Sequence, residues 1–255
     1  MSEFSKNEKG SEPEIETGKQ MDARELFEFL ANSGLENWAN REDFEKELEP
    51  SGLEKEDIAL ATKFMMCLAT VNQLVFQDRV ELIFNTSKEK SGNFIQYLPE
   101  KEGQSEAYWI NVNYFGETIK EILKENRTVF LDENGQLIKN KKKAPPVSFE
   151  ELLLGIAAHE ARHRLQKKRK INMIGLGSKV VCDGEYIDED LIKLQAGFLK
   201  GLRKKKKGEE KWVERQTGHE ELDAVIIEKM AVSRLHHKKT SLEQLGQLVT
   251  IEPEK

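Results

Sequence analysis

The sequence predicts an α+β fold: a small sheet first, a long helix that carries the chemistry, then a second helix that completes the site. An N-terminal helical annex precedes them. Three observations lead there. Residues 148–166, SFEELLLGIAAHEARHRLQ, hold apolar residues and two histidines on one helical face. From Val80 to Val112 the hydrophobic period falls to two, as in half-buried strands. From Thr217 the helical period returns, with acids crowded into the first turn.

Composition bounds the reading. The chain has 255 residues, 38% hydrophobic and 34% charged, enough for one large domain or a domain with a helical annex. A net charge of -6 argues against a dedicated nucleic-acid binder. The basic runs Asn140–Lys143 and Arg203–Lys207 read as solvated loops. The N-terminus lacks the apolar segment of a secretory signal. No uninterrupted apolar run approaches the roughly 20 residues of a membrane span. Two cysteines, Cys67 and Cys182, stand in unrelated contexts, so a reducing, cytoplasmic setting is expected.

Taken in order, residues 1–20 offer almost nothing to bury and should be disordered. Residues 21–76 should form the helical annex. Asp22 with Glu25 opens a helix closed by Gly34, and Arg41–Leu48 makes a short amphipathic piece. Ser51 with Glu54 reads as a capping box for a core helix through Ile58, Phe64, Leu68 and Val75. Residues 77–250 should form the main domain. Strands are expected at Val80–Phe84, Phe94–Leu98 and Ala107–Val112, then a helix over Phe115–Lys124. Asn134-Gly135 is a two-residue hairpin signal. Past the long helix come a strand at Lys179–Cys182 and a helix over Asp188–Leu202. Thr217 with Glu220 forms a further capping box, and a short helix covers Ser241–Val249.

The central helix has firm local signals. Ser148 and Glu151 form a capping box, Val147 and Leu152 its hydrophobic staple, and Pro145-Pro146 stops structure before it. Leu152, Ile156, His159 and His163 follow the 4-3-4 spacing of one face. His159 and His163, four apart, therefore lie one turn from each other and can chelate one metal ion, zinc suiting imidazole best. Glu160 beside them would take a proton from a water at that ion.

A catalytic zinc needs a third protein ligand. The metzincin pattern H-E-x-x-H-x-x-G-x-x-H is excluded, because the chain continues Arg164-Leu165-Gln166-Lys167-Lys168-Arg169. The ligand must come from later, and the Thr217 helix is the source. His219 is one candidate, with Asp223 four residues on as a supporting carboxylate. Glu220 is assigned to the cap.

Glu221-Leu222-Asp223-Ala224-Val225 resembles the second helix of gluzincin-type zincin metallopeptidases, E-x-E-A-D or E-x-x-A-N, at the glutamate, the middle acid and the alanine. The layout resembles the minimal zincins of the ImmA/IrrE-like and SprT-like kinds. The resemblance covers the two helices and loosely the preceding strands. It implies a zincin-like core and Glu221 as third zinc ligand, with His219 the alternative. One departure stands out: the family often places an acid or amide four residues after the glutamate to orient a ligating histidine, and here that position is Val225.

The expected function is thus a zinc metallopeptidase acting on a protein or peptide, with Glu160 as general base. A substrate strand would pair with the Tyr108–Asn113 segment as a polar sheet edge. Tyr186, Arg234, His236 and His237 are candidates to stabilise the oxyanion. Two other classes compete: a zincin-like binding module without turnover, which has no need of Glu160, and a helical protein with a coincidental motif.

Overall fold

The computed structural model describes residues 18–32, 41–49, 52–78, 80–85, 95–101, 104–112, 129–139, 144–169, 171–175, 178–182, 185–186, 193 and 213–254. The expected tail before residue 18, the Phe115–Lys124 helix, the Asp188–Leu202 helix apart from Lys193, and both basic runs lie outside them. Helix α1 (Ala23–Asn32) starts as its sequence dictates. Asp22 Oδ1 accepts from the Glu25 amide at 2.8 Å, and Glu25 Oε2 accepts from the Asp22 amide at 3.1 Å. Helix α2 (Arg41–Leu48) follows, then α3 (Lys55–Phe76). The expected Ser51–Glu54 box does not open α3: Glu54 is itself the cap residue, and its side chain makes no capping bond. Burial stabilises this helix instead, through fully buried Phe64, Met65, Cys67 and Leu68. By length and composition alone α3 is apolar enough to cross a membrane, but most of it is buried in the fold, as the core helices of globular proteins are.

Strands β1 (Glu81–Asn85), β2 (Ile95–Leu98) and β3 (Ala107–Asn111) form a mixed sheet of order β1-β3-β2. β3 pairs parallel with β1 and antiparallel with β2. This overturns the expectation that Tyr108–Asn113 is an edge. β3 is the middle strand, and both Tyr108 and Asn111 are fully buried. A polar side chain on a strand signals solvent only where no neighbouring element covers it; Asn113 lies outside the described residues.

The Asn134-Gly135 turn forms, but not as a two-residue hairpin. The Gly135 amide donates to Asp132 O at 3.0 Å and the Asp132 amide to Gln136 O at 2.8 Å, with Leu131 bridged to Leu137. Gly135 alone in the turn has positive φ, 76°. Glu133 and Asn134 therefore make an ordinary turn and Gly135 the left-handed bulge residue.

Helix α4 (Phe149–Arg169) carries the motif. Its capping box closes as the sequence requires: the Ser148 amide donates to Glu151 Oε2 at 2.7 Å, and the Glu151 amide to Ser148 Oγ at 3.2 Å. A two-stranded ladder, β4 (Val181–Cys182) with β5 (Glu185–Tyr186), follows. Helix α5 (Val213–His237) begins about a turn before Thr217, so Glu220 is not spent on a cap; its carboxylate pairs with Lys167 Nζ at 2.6 Å. Helix α6 (Leu242–Thr250) opens with a full capping box of Ser241 and Gln244.

α4 is the packing centre. α1, α3, α5, α6 and β2 all lie against it. One hydrophobic cluster runs from Met21 and Leu26 through Phe64, Leu153 and Ile226 to Val249, so the N-terminal helices share a core with the motif helix. α5 runs antiparallel to α4: Glu151 near the start of α4 meets His236 near the end of α5, while His163 meets Glu221. Gly155 lets them approach closely, since a Cβ there would stand 2.5 Å from Val232 Cγ2.

Candidate metal centre

The helical spacing and the antiparallel approach together bring His159, His163 and Glu221 to one place. One ligand atom from each lies within 4.8 Å of the others. His159 Nε2 and His163 Nε2 are 3.1 Å apart. Glu221 Oε1 is 3.7 Å from His159 Nε2, and Oε2 is 3.2 Å from His163 Nε2. Both imidazoles are largely buried, whereas 45% of the Glu221 side chain is exposed, so the cluster opens to solvent on the α5 side. Two ring nitrogens on one tetrahedral zinc, each at about 2.0–2.1 Å from it, would stand about 3.3 Å apart, so the donor set and spacing fit that ion.

The outer nitrogen of His163 is hydrogen-bonded, and that of His159 faces a carboxylate. Gln166 Nε2 donates to Glu220 O at 2.8 Å and to Asp223 Oδ2 at 2.6 Å, which fixes the orientation of its amide. Gln166 Oε1 must then accept, so His163 Nδ1, 3.0 Å away, carries the hydrogen and Nε2 keeps its lone pair toward the cluster. On His159, Nδ1 lies 3.3 Å from Glu228 Oε2, in ion-pair range though short of full hydrogen-bond geometry. A carboxylate only accepts, so here too Nε2 is the inward atom. Two ring nitrogens and a carboxylate thus converge as acceptors, a set that could hold a metal cation.

Charge balance around these groups is uneven. Burial pushes the Glu160 carboxyl up, although the two histidines oppose that rise. Burial also works to lower His159, but Glu228, Glu160 and Glu221 carry it up to about 9. Against its own burial, Glu228 is held well below the usual carboxylate range by Lys229 and His159. Glu221 is lowered too, burial being outweighed by His163 and His159. Glu160 is itself buried, and the Tyr108 hydroxyl donates to its backbone carbonyl at 2.9 Å, tying the motif to the middle strand.

Other expected residues fall elsewhere. His219 is exposed and outside the cluster, and its supposed partner Asp223 is fully buried and already engaged. Asp223 accepts from Arg162 Nε at 2.7 Å and Nη2 at 2.9 Å, and from the Ile174 amide at 2.8 Å. Arg234, His236 and His237 stand thirteen to sixteen residues beyond Glu221, about 20–24 Å along the helix, so none serves this site. His236 instead contacts Glu151 and His237 the carbonyl of Leu131, each at 3.0 Å. The Tyr186 side chain lies outside the described residues.

Glu228 is the residue that the sequence reading passes over. The available signal was its spacing, seven residues and two turns after Glu221 on the same helical face. Comparison with protein-family models, with curated proteins and with solved structures finds no match to this chain.

Proposed function

We propose that this chain is a zinc-dependent peptidase in which His159, His163 and Glu221 hold the ion and Glu160 is the general base. One observation supports it above the others: three acceptor atoms converge, while the far nitrogen of each imidazole faces an accepting oxygen, Gln166 Oε1 or Glu228 Oε2. The resemblance of the Glu221 segment to gluzincins points the same way. When bound, zinc would supply Lewis acidity toward a peptide carbonyl and would lower the pKa of water.

The chain's own residues contribute the proton chemistry. Glu160 is buried next to the first histidine, and burial raises its proton affinity toward the range that suits a general base near neutral pH. Its carboxylate takes the proton of the attacking water and returns it to the leaving amine. Glu221, open to solvent at the mouth of the cluster, leaves that side accessible to an extended peptide.

The test uses zinc-loaded protein and an unstructured protein substrate. Wild type should cleave it, while Glu160→Gln should keep its zinc and lose about 100-fold or more in rate. Equal cleavage by Glu160→Gln removes the assigned base. Zinc uptake with no cleavage by wild type on any substrate favours a binding module over an enzyme.

A further inference from the structure

We propose that Glu228 is the positioning residue for the metal centre, fixing the His159 ring from two turns further along α5 than the ligand Glu221. This rests on the metal-centre reading above. A ring nitrogen that binds metal needs its opposite N–H held, or the imidazole swings and the wrong tautomer competes. In gluzincin-like patterns that task falls four residues after the glutamate, where this chain has Val225, which cannot accept a hydrogen bond.

The geometry shows how Glu228 reaches the task. α4 and α5 are antiparallel, so stepping back one turn from His163 to His159 advances the contact along α5, away from Glu221 and toward Glu228. Glu228 Oε2 lies 3.3 Å from His159 Nδ1, and among described atoms that nitrogen has no hydrogen-bond partner. The other oxygen, Oε1, is clamped 2.7 Å from Lys229 Nζ, and Lys229 rests over the Phe130 ring. The carboxylate is therefore held at Oε1, with Oε2 left facing the His159 ring. Gly155 on α4 lies beside this side chain, a Cβ there standing in contact range, 3.4 Å from Glu228 Cγ. One helix thus supplies both a ligand and the support for another ligand, and ligation depends on how α5 lies on α4.

Zinc affinity by chelator competition, read together with the visible spectrum of the Co2+ form, tests this without reference to turnover. Glu228→Gln keeps an accepting oxygen and should bind zinc within about threefold of wild type. Glu228→Leu keeps the volume but accepts nothing, and should weaken zinc 10- to 100-fold and alter the Co2+ bands. Glu228→Asp withdraws the carboxylate by about 1.5 Å while keeping its charge, and should weaken binding about tenfold. It decides the matter where Glu228→Leu fails to fold. Glu228→Leu or Glu228→Asp binding zinc as tightly as wild type, while His163→Ala does not, overturns the positioning role and leaves the metal site standing. Failure of wild type itself to bind zinc overturns the metal site.

Discussion

Asp223 shows what a single buried residue does for the site. It is fully buried and accepts from Arg162 Nε and Nη2, from Gln166 and from the Ile174 amide. Arg162, equally buried, spends Nη1 on the carbonyls of Val249 and Ile251, each at 2.7 Å, tying the C-terminal end of α6 to the motif helix. Asp223→Asn leaves a buried guanidinium without its counter-charge and should cost about 3–5 kcal/mol in urea unfolding. It also loosens Gln166 and through it His163, so zinc affinity should fall as well. The sequence discloses little of this. Within His-Glu-Ala-Arg-His-Arg both arginines look solvent-facing, because their partners lie 58 to 92 residues away. A charge is buried only where the tertiary fold supplies a partner, and no local period records that.

Between helices, the decisive feature is the close seat of α5 on α4 at Gly155. An alanine there gains helix propensity, by about 1 kcal/mol. Its methyl, however, would fall 2.5 Å from Val232 Cγ2, and a branched valine cannot turn away cheaply. Overpacking of this kind costs about 1–3 kcal/mol, so Gly155→Ala should lower stability or shift α5. Adding Val232→Ala should recover the helix gain and restore zinc affinity; a double variant no better than the single one argues against the contact. At this scale the sequence was legible in part. The Ser148–Glu151 cap and the histidine face of α4 are local and follow from spacing. The start of α5, the place of β3 in the sheet and the reach of Glu228 are not local, since each is decided by what packs alongside.

Across the whole molecule, the N-terminal helices and the sheet are joined to the motif helix by charge as well as by apolar packing. Arg164 is fully buried and bound to Glu106, just before β3, and to Asp78, just after α3, with its guanidinium 4.4 Å over the Phe76 ring. Lys168 reaches the same two acids, at 2.5 Å and 2.7 Å. Burial alone would raise Glu106, but Arg164, Lys168 and Tyr97 bring it down from 4.5 to about 2. A carboxyl lowered by folding stabilises the protein above its unfolded value, and that contribution disappears as pH falls. Stability should therefore drop between about pH 4.5 and 2, and Glu106→Gln should flatten that slope while lowering stability at pH 7. Thermal unfolding across this window measures both. An unchanged slope in the variant removes Glu106 from the acid response. The strand period and the apolar stripe of α3 were readable in the sequence, but not that this junction fuses them with α4, because it joins residues far apart in the chain.

The most direct measurement is zinc stoichiometry and affinity of the purified chain by equilibrium dialysis, for wild type, His163→Ala, Glu221→Ala and His219→Ala. One zinc per wild-type chain is predicted, with His163→Ala and Glu221→Ala weakened about 100-fold or more and His219→Ala unchanged. Wild type that binds no zinc, or Glu221→Ala that binds it undiminished while His219→Ala does not, contradicts the three-ligand site.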